Sequence, residues 1–306
     1  MTVAIAGSGD LARYLVEEFR RLDVPVVILC RTKKNHFDLP GVAQKVVDYG
    51  SVDSLAHALE GSVALISMIL DYTMAFKDAH LKLIAACHRS STCRRFIPAE
   101  YGPDIADYPD QPGFQYASHE PVRDALREQE EVEWTLICCG WLADYVLPVR
   151  NRYIKDIGDA PFNLSNQRIV IPRTGKEKVD VISARDLCKA LVALTKAPAG
   201  SWEPYTYVSG EKTTLRRMAE QVKTRYASMK FDTHFISLNQ LVNAVREAKT
   251  PEERIEAEFG IVTLSSNGGF DSDVVDSQRR KFFKGIHFRS VQELLDTLDN
   301  DPEIIV

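Results

Sequence analysis

Three short groups of residues carry chemistry that a bare scaffold would not need. The first is Gly7-Ser8-Gly9-Asp10-Leu11-Ala12. Its G-x-G-x-x-A spacing lets the backbone turn tightly at Gly7 and approach a pyrophosphate at Gly9, and Ala12 permits close helix–strand packing. The second is Arg31-Thr32-Lys33-Lys34, with no acid before Asp38. An acidic residue at that place would suit the ribose hydroxyls of NAD, whereas a guanidinium makes paired, charge-assisted bonds to a 2′-phosphate. Arg31 is the first choice for that phosphate and Lys34 the second, with Thr32 between them, so NADP(H) is the expected cofactor. Asp48-Tyr49 is a weaker candidate for the adenine end. The third group is Arg95-Phe96-Ile97-Pro98-Ala99-Glu100-Tyr101-Gly102, followed by Tyr116 and His119. It sets a carboxylate, aromatic hydroxyls and an imidazole downstream of an apolar run. A histidine titrates near neutrality and suits proton exchange. Glu100 has two readings, a ligand contact or an anchor for backbone amides at a helix start.

Those groups need elements to hold them. Val3-Ala4-Ile5-Ala6 precedes the glycines, and Leu11, Ala12, Leu15, Val16 and Phe19 follow at helical spacing, which predicts strand, turn, helix. Val26–Cys30 is uniformly apolar, as a strand covered on both faces should be. Further strands are expected at Lys45–Asp48, Val63–Ile69, Arg95–Pro98 and Trp134–Cys139. Helices are expected at Ser54–Leu59 (capped by Asp53), Ala75–His88 and His119–Gln129. Alternating strands and helices imply an α/β fold, a doubly wound parallel Rossmann sheet with right-handed crossovers. Ser67-Met68 and Pro98 then fall at strand carboxyl ends, where such sheets bind ligands. Residues 141–173 read as loop-rich. A strand at Val179–Ile182 and a helix at Ala184–Thr195, opened by Ser183, come next. Strands near 205–208 and 233–236 sit in an otherwise mainly helical remainder. The expected division is a nucleotide-binding domain over 1–150 and a smaller α+β substrate lobe over 151–306, with segments near 175–210 returning to the first.

Composition narrows the function classes. The chain has 306 residues, 45% hydrophobic, with net charge −5. No block of like charge suggests a nucleic acid or membrane surface as partner. The six cysteines form no C-x-x-C pair, so buried free thiols are expected rather than disulfides or a metal site. No leader or spanning segment is evident, which points to the cytoplasm.

The glycine turn, the arginine after the second strand and the Arg95–Gly102 segment resemble the isoflavone reductase-like and NmrA-like atypical short-chain dehydrogenases. Gly140-Trp141-Leu142-Ala143-Asp144-Tyr145, residues 175–194 and Phe282–Ile286 extend the resemblance over nearly the whole chain. It implies an NADPH-dependent reductase of a small cyclic or aromatic carbonyl or enone, of the secondary-metabolite kind. Trp141, Tyr145, Glu100 and Tyr101 would contact that substrate, and a homodimer is compatible with the reading. Two departures stand out. The family's G-x-T-G-x-x-G turn is a residue shorter here, and the lysine that family reductases use is replaced by His119. Tyr116 is not followed by a lysine at position 120, which is Glu120. His119 and Tyr116 are the catalytic candidates. Loss of the lysine also fits a non-catalytic NADP(H)-sensing regulator, and a cofactor-retaining isomerase or cyclase is a further alternative.

Overall fold

The computed structural model describes residues 1–156, 161–265 and 267–306; residues 157–160, inside the expected loop-rich stretch, lie outside the described residues. Six parallel strands form the main sheet. They are β1 (Thr2–Ala6), β2 (Val26–Cys30), β3 (Val42–Val46), β4 (Ser62–Ser67), β5 (Arg95–Ile97) and β6 (Glu133–Trp134), in the order β3-β2-β1-β4-β5-β6. Between them run α1 (Asp10–Arg20), α2 (Val52–Leu59), α3 (Met74–Arg89) and α4 (Gly113–Arg127). The order reverses beside β1, so the glycine turn leaves the central strand at the switch point. Residues Val3 to Ala6 and Ile28 and Leu29 are fully buried, and each large apolar side chain so covered contributes roughly 1.5–3 kcal/mol.

Several expected boundaries move. Strand β3 runs over Val42–Val46, not 45–48, because it is an edge strand whose residues are half-exposed (Val46 is 60% exposed), so apolar content does not mark it. Helix α2 is capped by Ser51, whose side chain accepts from the Ser54 amide; Asp53 pairs with Arg89 instead. The expected strand over Trp134–Cys139 is two strands. Glu133–Trp134 pairs with β5, while β7 (Leu136–Cys138) pairs with the strand Tyr205–Tyr207. Between them the buried Thr135 hydroxyl meets that of Thr206 at 2.8 Å. Helix α4 starts at Gly113, six residues before the expected start, and runs through Pro121. A proline suits a first helical turn, which is why a start at His119 reads naturally from sequence alone.

The chain divides into two compact units. The first takes Met1–Tyr101, Gln115–Ile137 and Cys188–Thr206; the second takes Gly102–Phe114, Cys138–Leu187 and Tyr207–Val306. The chain therefore leaves the first unit well before residue 150 and re-enters it at Cys188. Within the second unit the expected loop stretch contains strands, including Arg168–Pro172, which pairs in parallel with Asp232–Ile236. Glu211–Thr214 is a strand, antiparallel to Lys178–Ile182. All six cysteines are buried as free thiols. No helix among the described residues is long and apolar enough to cross a membrane.

Candidate functional site

Backbone geometry makes the glycine turn. Gly7 has φ +99°, a conformation that side chains rarely adopt. A Cβ there would stand 3.0 Å from the Met68 carbonyl carbon and oxygen, so the turn and the end of β4 share a space that admits only glycine. Gly9 has open space around its Cα and caps α1 without any side-chain bond. The first-turn amides of α1 consequently keep their donors for a ligand, at the positive end of the helix dipole. Asp10 and Leu11 open that helix, and Ser8 is half-buried before it.

The basic loop after β2 folds back onto this turn. Lys34 Nζ donates to the Ser8 carbonyl at 2.7 Å. Gln44 holds the loop in place: its Oε1 accepts from the Lys34 amide at 2.8 Å, and its Nε2 donates to the Lys34 carbonyl at 3.1 Å and to Asp38 Oδ1 at 2.8 Å. Arg31 and Thr32 are exposed beside it. Gln44 was not legible as a site residue, since nothing in the sequence around it marks a loop clamp. Tyr49 lies beside the end of β2. Its hydroxyl donates to the Leu29 carbonyl at 2.8 Å, and burial raises its pKa.

At the carboxyl end of β4, the Tyr101 hydroxyl donates to the Ser67 carbonyl at 2.8 Å. Ser67, Met68 and Pro98 are buried. Gly7, Ser8, Lys34, Ser67, Met68 and Tyr101 are thus brought into one neighbourhood of the first unit by direct bonds and close approach.

Glu100 is removed from the substrate-contact set. It is buried, with Arg123 Nε on Oε1 at 3.0 Å and Arg123 Nη2 on Oε2 at 2.9 Å. Nor does it anchor helix-start amides; both its oxygens are committed to one guanidinium. Arg123 Nη1 also donates to Glu120 at 3.1 Å, and Arg127 donates to Glu120 and Asp124 at 2.7 and 2.8 Å. Tyr116 lies on α4 and is 44% exposed.

His119 is buried in the middle of α4, not at a helix N-terminus. Its Nδ1 lies 3.1 Å from the Gln115 carbonyl oxygen and 3.0 Å from Ser118 Oγ. Its ring stacks on Phe76 at 3.7 Å between centroids and 17° between planes. Burial lowers its pKa; the Glu100 carboxylate opposes that shift and Arg123 reinforces it. Phe76 and Ser118 were missed at the level of sequence, because their roles exist only once α3 and α4 are packed.

In the second unit, Trp141 is half-buried with its ring 5.6 Å from that of Phe259, which meets Phe114 edge-on at 5.1 Å. Tyr145 is buried, with the Arg152 guanidinium 5.3 Å from its ring centre. Both are held by packing partners of their own unit. No cluster of metal-ligating side chains occurs among the described residues.

Several comparisons with known proteins cover most or all of the chain. The model of the NmrA-like family matches residues 1–295. The protein named oxidoreductase swnR from Arthroderma benhamiae is 44% identical over 307 residues, covering 100% of both chains. The protein of that name from Metarhizium robertsii is 43% identical over 311 residues, again covering 100% of both. Among solved structures, the binary complex of leucoanthocyanidin reductase with NADPH from Vitis vinifera is similar in fold, with TM-score 0.75 at 18% identity, over 97% of this chain and 99% of that one. The six-stranded parallel sheet, the glycine turn at its switch point and a family match over most of the chain agree: this chain belongs to the NmrA-like family.

Proposed function

We propose that this chain is an NADPH-dependent reductase acting on a small cyclic or aromatic carbonyl or enone. The observation that carries the cofactor is the Lys34 ammonium bound to the Ser8 carbonyl, which sets a cation directly on the glycine turn. The residues present fit a phosphorylated dinucleotide. Gly7 and Gly9 leave the backbone accessible, the open amides of α1 suit the pyrophosphate, and Arg31 and Lys34 suit the 2′-phosphate. The oxidoreductase names of the full-length relatives and the NADPH complex of the structural neighbour support the same reading.

When bound, the reduced nicotinamide supplies the hydride. The chain's own residues bind and align. Tyr101, tied to the Ser67 carbonyl, fixes the loop after β5 against the end of β4. His119 stands where the family resemblance places a lysine, and we assign it the proton exchange at the substrate oxygen.

The test is NADPH oxidation, followed optically, across a panel of cyclic ketones and enones. Turnover is expected, with NADPH preferred over NADH by roughly tenfold or more, the worth of one charge-assisted bond. Tight NADPH binding without oxidation on any panel member would sink the reductase reading in favour of a dinucleotide-sensing regulator.

A further inference from the structure

The protons around His119 can be assigned from its partners. The Gln115 carbonyl oxygen, 3.1 Å from Nδ1, can only accept. Nδ1 therefore carries the hydrogen. The Ser118 hydroxyl donates to that same carbonyl at 3.1 Å, so it turns a lone pair, not its proton, toward Nδ1. A second proton arrangement, with Nδ1 bare, would set two lone pairs against each other at hydrogen-bond distance. Nε2 has no partner among the described residues.

The ring plane is fixed as firmly as its protons. Phe76 lies between two imidazoles, stacked on His119 at 3.7 Å and on His80 at 3.8 Å. His80 is fully buried, and its Nδ1 meets the Phe76 carbonyl at 2.8 Å. Burial pushes the His80 pKa down to about 3, so it stays neutral behind the stack.

We propose that the Gln115 carbonyl, Ser118 and Phe76 are a positioning set that keeps His119 protonated on Nδ1 in both charge states, so that Nε2 alone exchanges a proton with the ligand and, in the resting enzyme, receives an O–H or N–H donor. What that proton is for rests on the reductase reading; the proton arrangement does not. In carbonyl reduction the hydride adds to the carbonyl carbon and the C=O π pair moves onto oxygen. Nε2–H of the His119 imidazolium then delivers its proton to that oxygen, giving the alcohol and a neutral ring still protonated on Nδ1. A bound reduced cofactor would be the reductant, and one proton per carbonyl reduced returns to Nε2 from solvent.

The charged and titratable groups facing His119 are Glu100 from the loop after β5, Arg123 from its own helix and His80 from α3. Of these only Glu100 favours the imidazolium, and burial outweighs it. Reduction is therefore expected to slow as pH rises through a value below the ordinary histidine range, while affinity for alcohols and amines at Nε2 rises over the same interval.

The decisive experiment is side-chain 15N–1H correlation on the 15N-labelled full chain saturated with NADP+, with His119→Gln used to identify the His119 signals. The expected result at neutral pH is a protonated Nδ1 and a bare Nε2. A bare Nδ1, or a mixture of the two forms, overturns the proposal. Phe76→Leu and Ser118→Ala are expected to lower kcat by roughly tenfold with KM for NADPH unchanged, part of the roughly 10²–10⁴-fold that general acid–base catalysis contributes, since each misplaces the imidazole without removing it. In Phe76→Leu the pH profile should also move toward the ordinary histidine value as water reaches the ring. Lower kcat in both variants with proton arrangement and pH profile unaltered would reduce Phe76 and Ser118 to structural residues and overturn the positioning role. If no ketone or enone is turned over, the reductase reading fails, and the wild-type spectrum still decides the proton arrangement. Titration with an alcohol and an amine then tells which donor Nε2 takes.

Discussion

The glycine turn and the surroundings of His119 belong to the same unit, but they are built by opposite means. The turn is made of backbone. Gly7 supplies φ, Gly9 supplies open space, and the amides of α1 supply donors, all within a few residues of sequence. The His119 site is made of side chains gathered from far apart: Phe76 and His80 from α3, Glu100 from the loop after β5, and Arg123 from α4. A backbone site depends on what is missing from its residues. A side-chain site depends on what distant residues bring. The two should therefore fail differently.

The largest effect is expected where a side-chain site loses a buried charge. Glu100→Ala leaves the Arg123 guanidinium buried with one of its two acid partners gone, and breaking such a pair costs about 3–5 kcal/mol. Denaturant unfolding of the variant reads this directly; an unchanged midpoint would mean that Glu120 alone satisfies Arg123. Gly7→Val tests the backbone site. A β-branched residue at φ +99°, with a Cβ 3.0 Å from the Met68 carbonyl, should lose NADPH binding outright and cost about 1–3 kcal/mol of strain. Retained NADPH affinity by fluorescence titration would show that the turn does not hold the cofactor.

Smaller effects sharpen the contrast. Arg31→Ala should weaken NADPH binding by roughly tenfold while sparing NADH, because it removes one charge-assisted bond without touching the turn, and Lys34→Ala should do at least as much, since it also releases the Ser8 carbonyl. Equal loss for both cofactors would assign these cations to the loop and not to the 2′-phosphate. The smallest effect appears only in acid. His80 is neutral in the fold with its pKa near 3, against 6.5 when exposed. The stability it permits is complete above 6.5 and drains as pH falls toward 3, because the unfolded chain takes up the proton first. His80→Phe keeps a ring in the stack and should move acid unfolding to lower pH by about one unit. A transition that stays in place would mean other groups govern acid unfolding.

The same division explains what could be read from sequence. Strands β1 and β2, helix α1 and the basic loop are legible because period, turn chemistry and charge all lie within one window. Strand β3 is misplaced because an edge strand is half-exposed and its apolar residues do not mark its limits. Ser51 and Asp53 are equally good caps on paper, and only the position of Arg89 draws Asp53 away. At the His119 site, the residue itself is legible as a substitution for the family lysine, but its proton arrangement is not. That depends on a helical carbonyl at Gln115, which exists because α4 begins at Gly113 and not at His119. Glu100 and Arg123 are each visible in the sequence, yet nothing across their separation of 23 positions says they pair.

The first unit closes late in the chain. Arg95, at the start of β5, is buried with its side chain on Glu133, on the carbonyls of Thr195 and Ala197, and with its guanidinium 3.9 Å from the ring of Trp202. During synthesis at roughly 5–20 residues per second, this guanidinium leaves the ribosome long before the carbonyls that will receive it. The first unit is not complete until Thr206 is out. A nascent chain stalled before Thr195 would hold Arg95 with Glu133 but without its two carbonyls and the Trp202 ring, a gap for chaperones to cover.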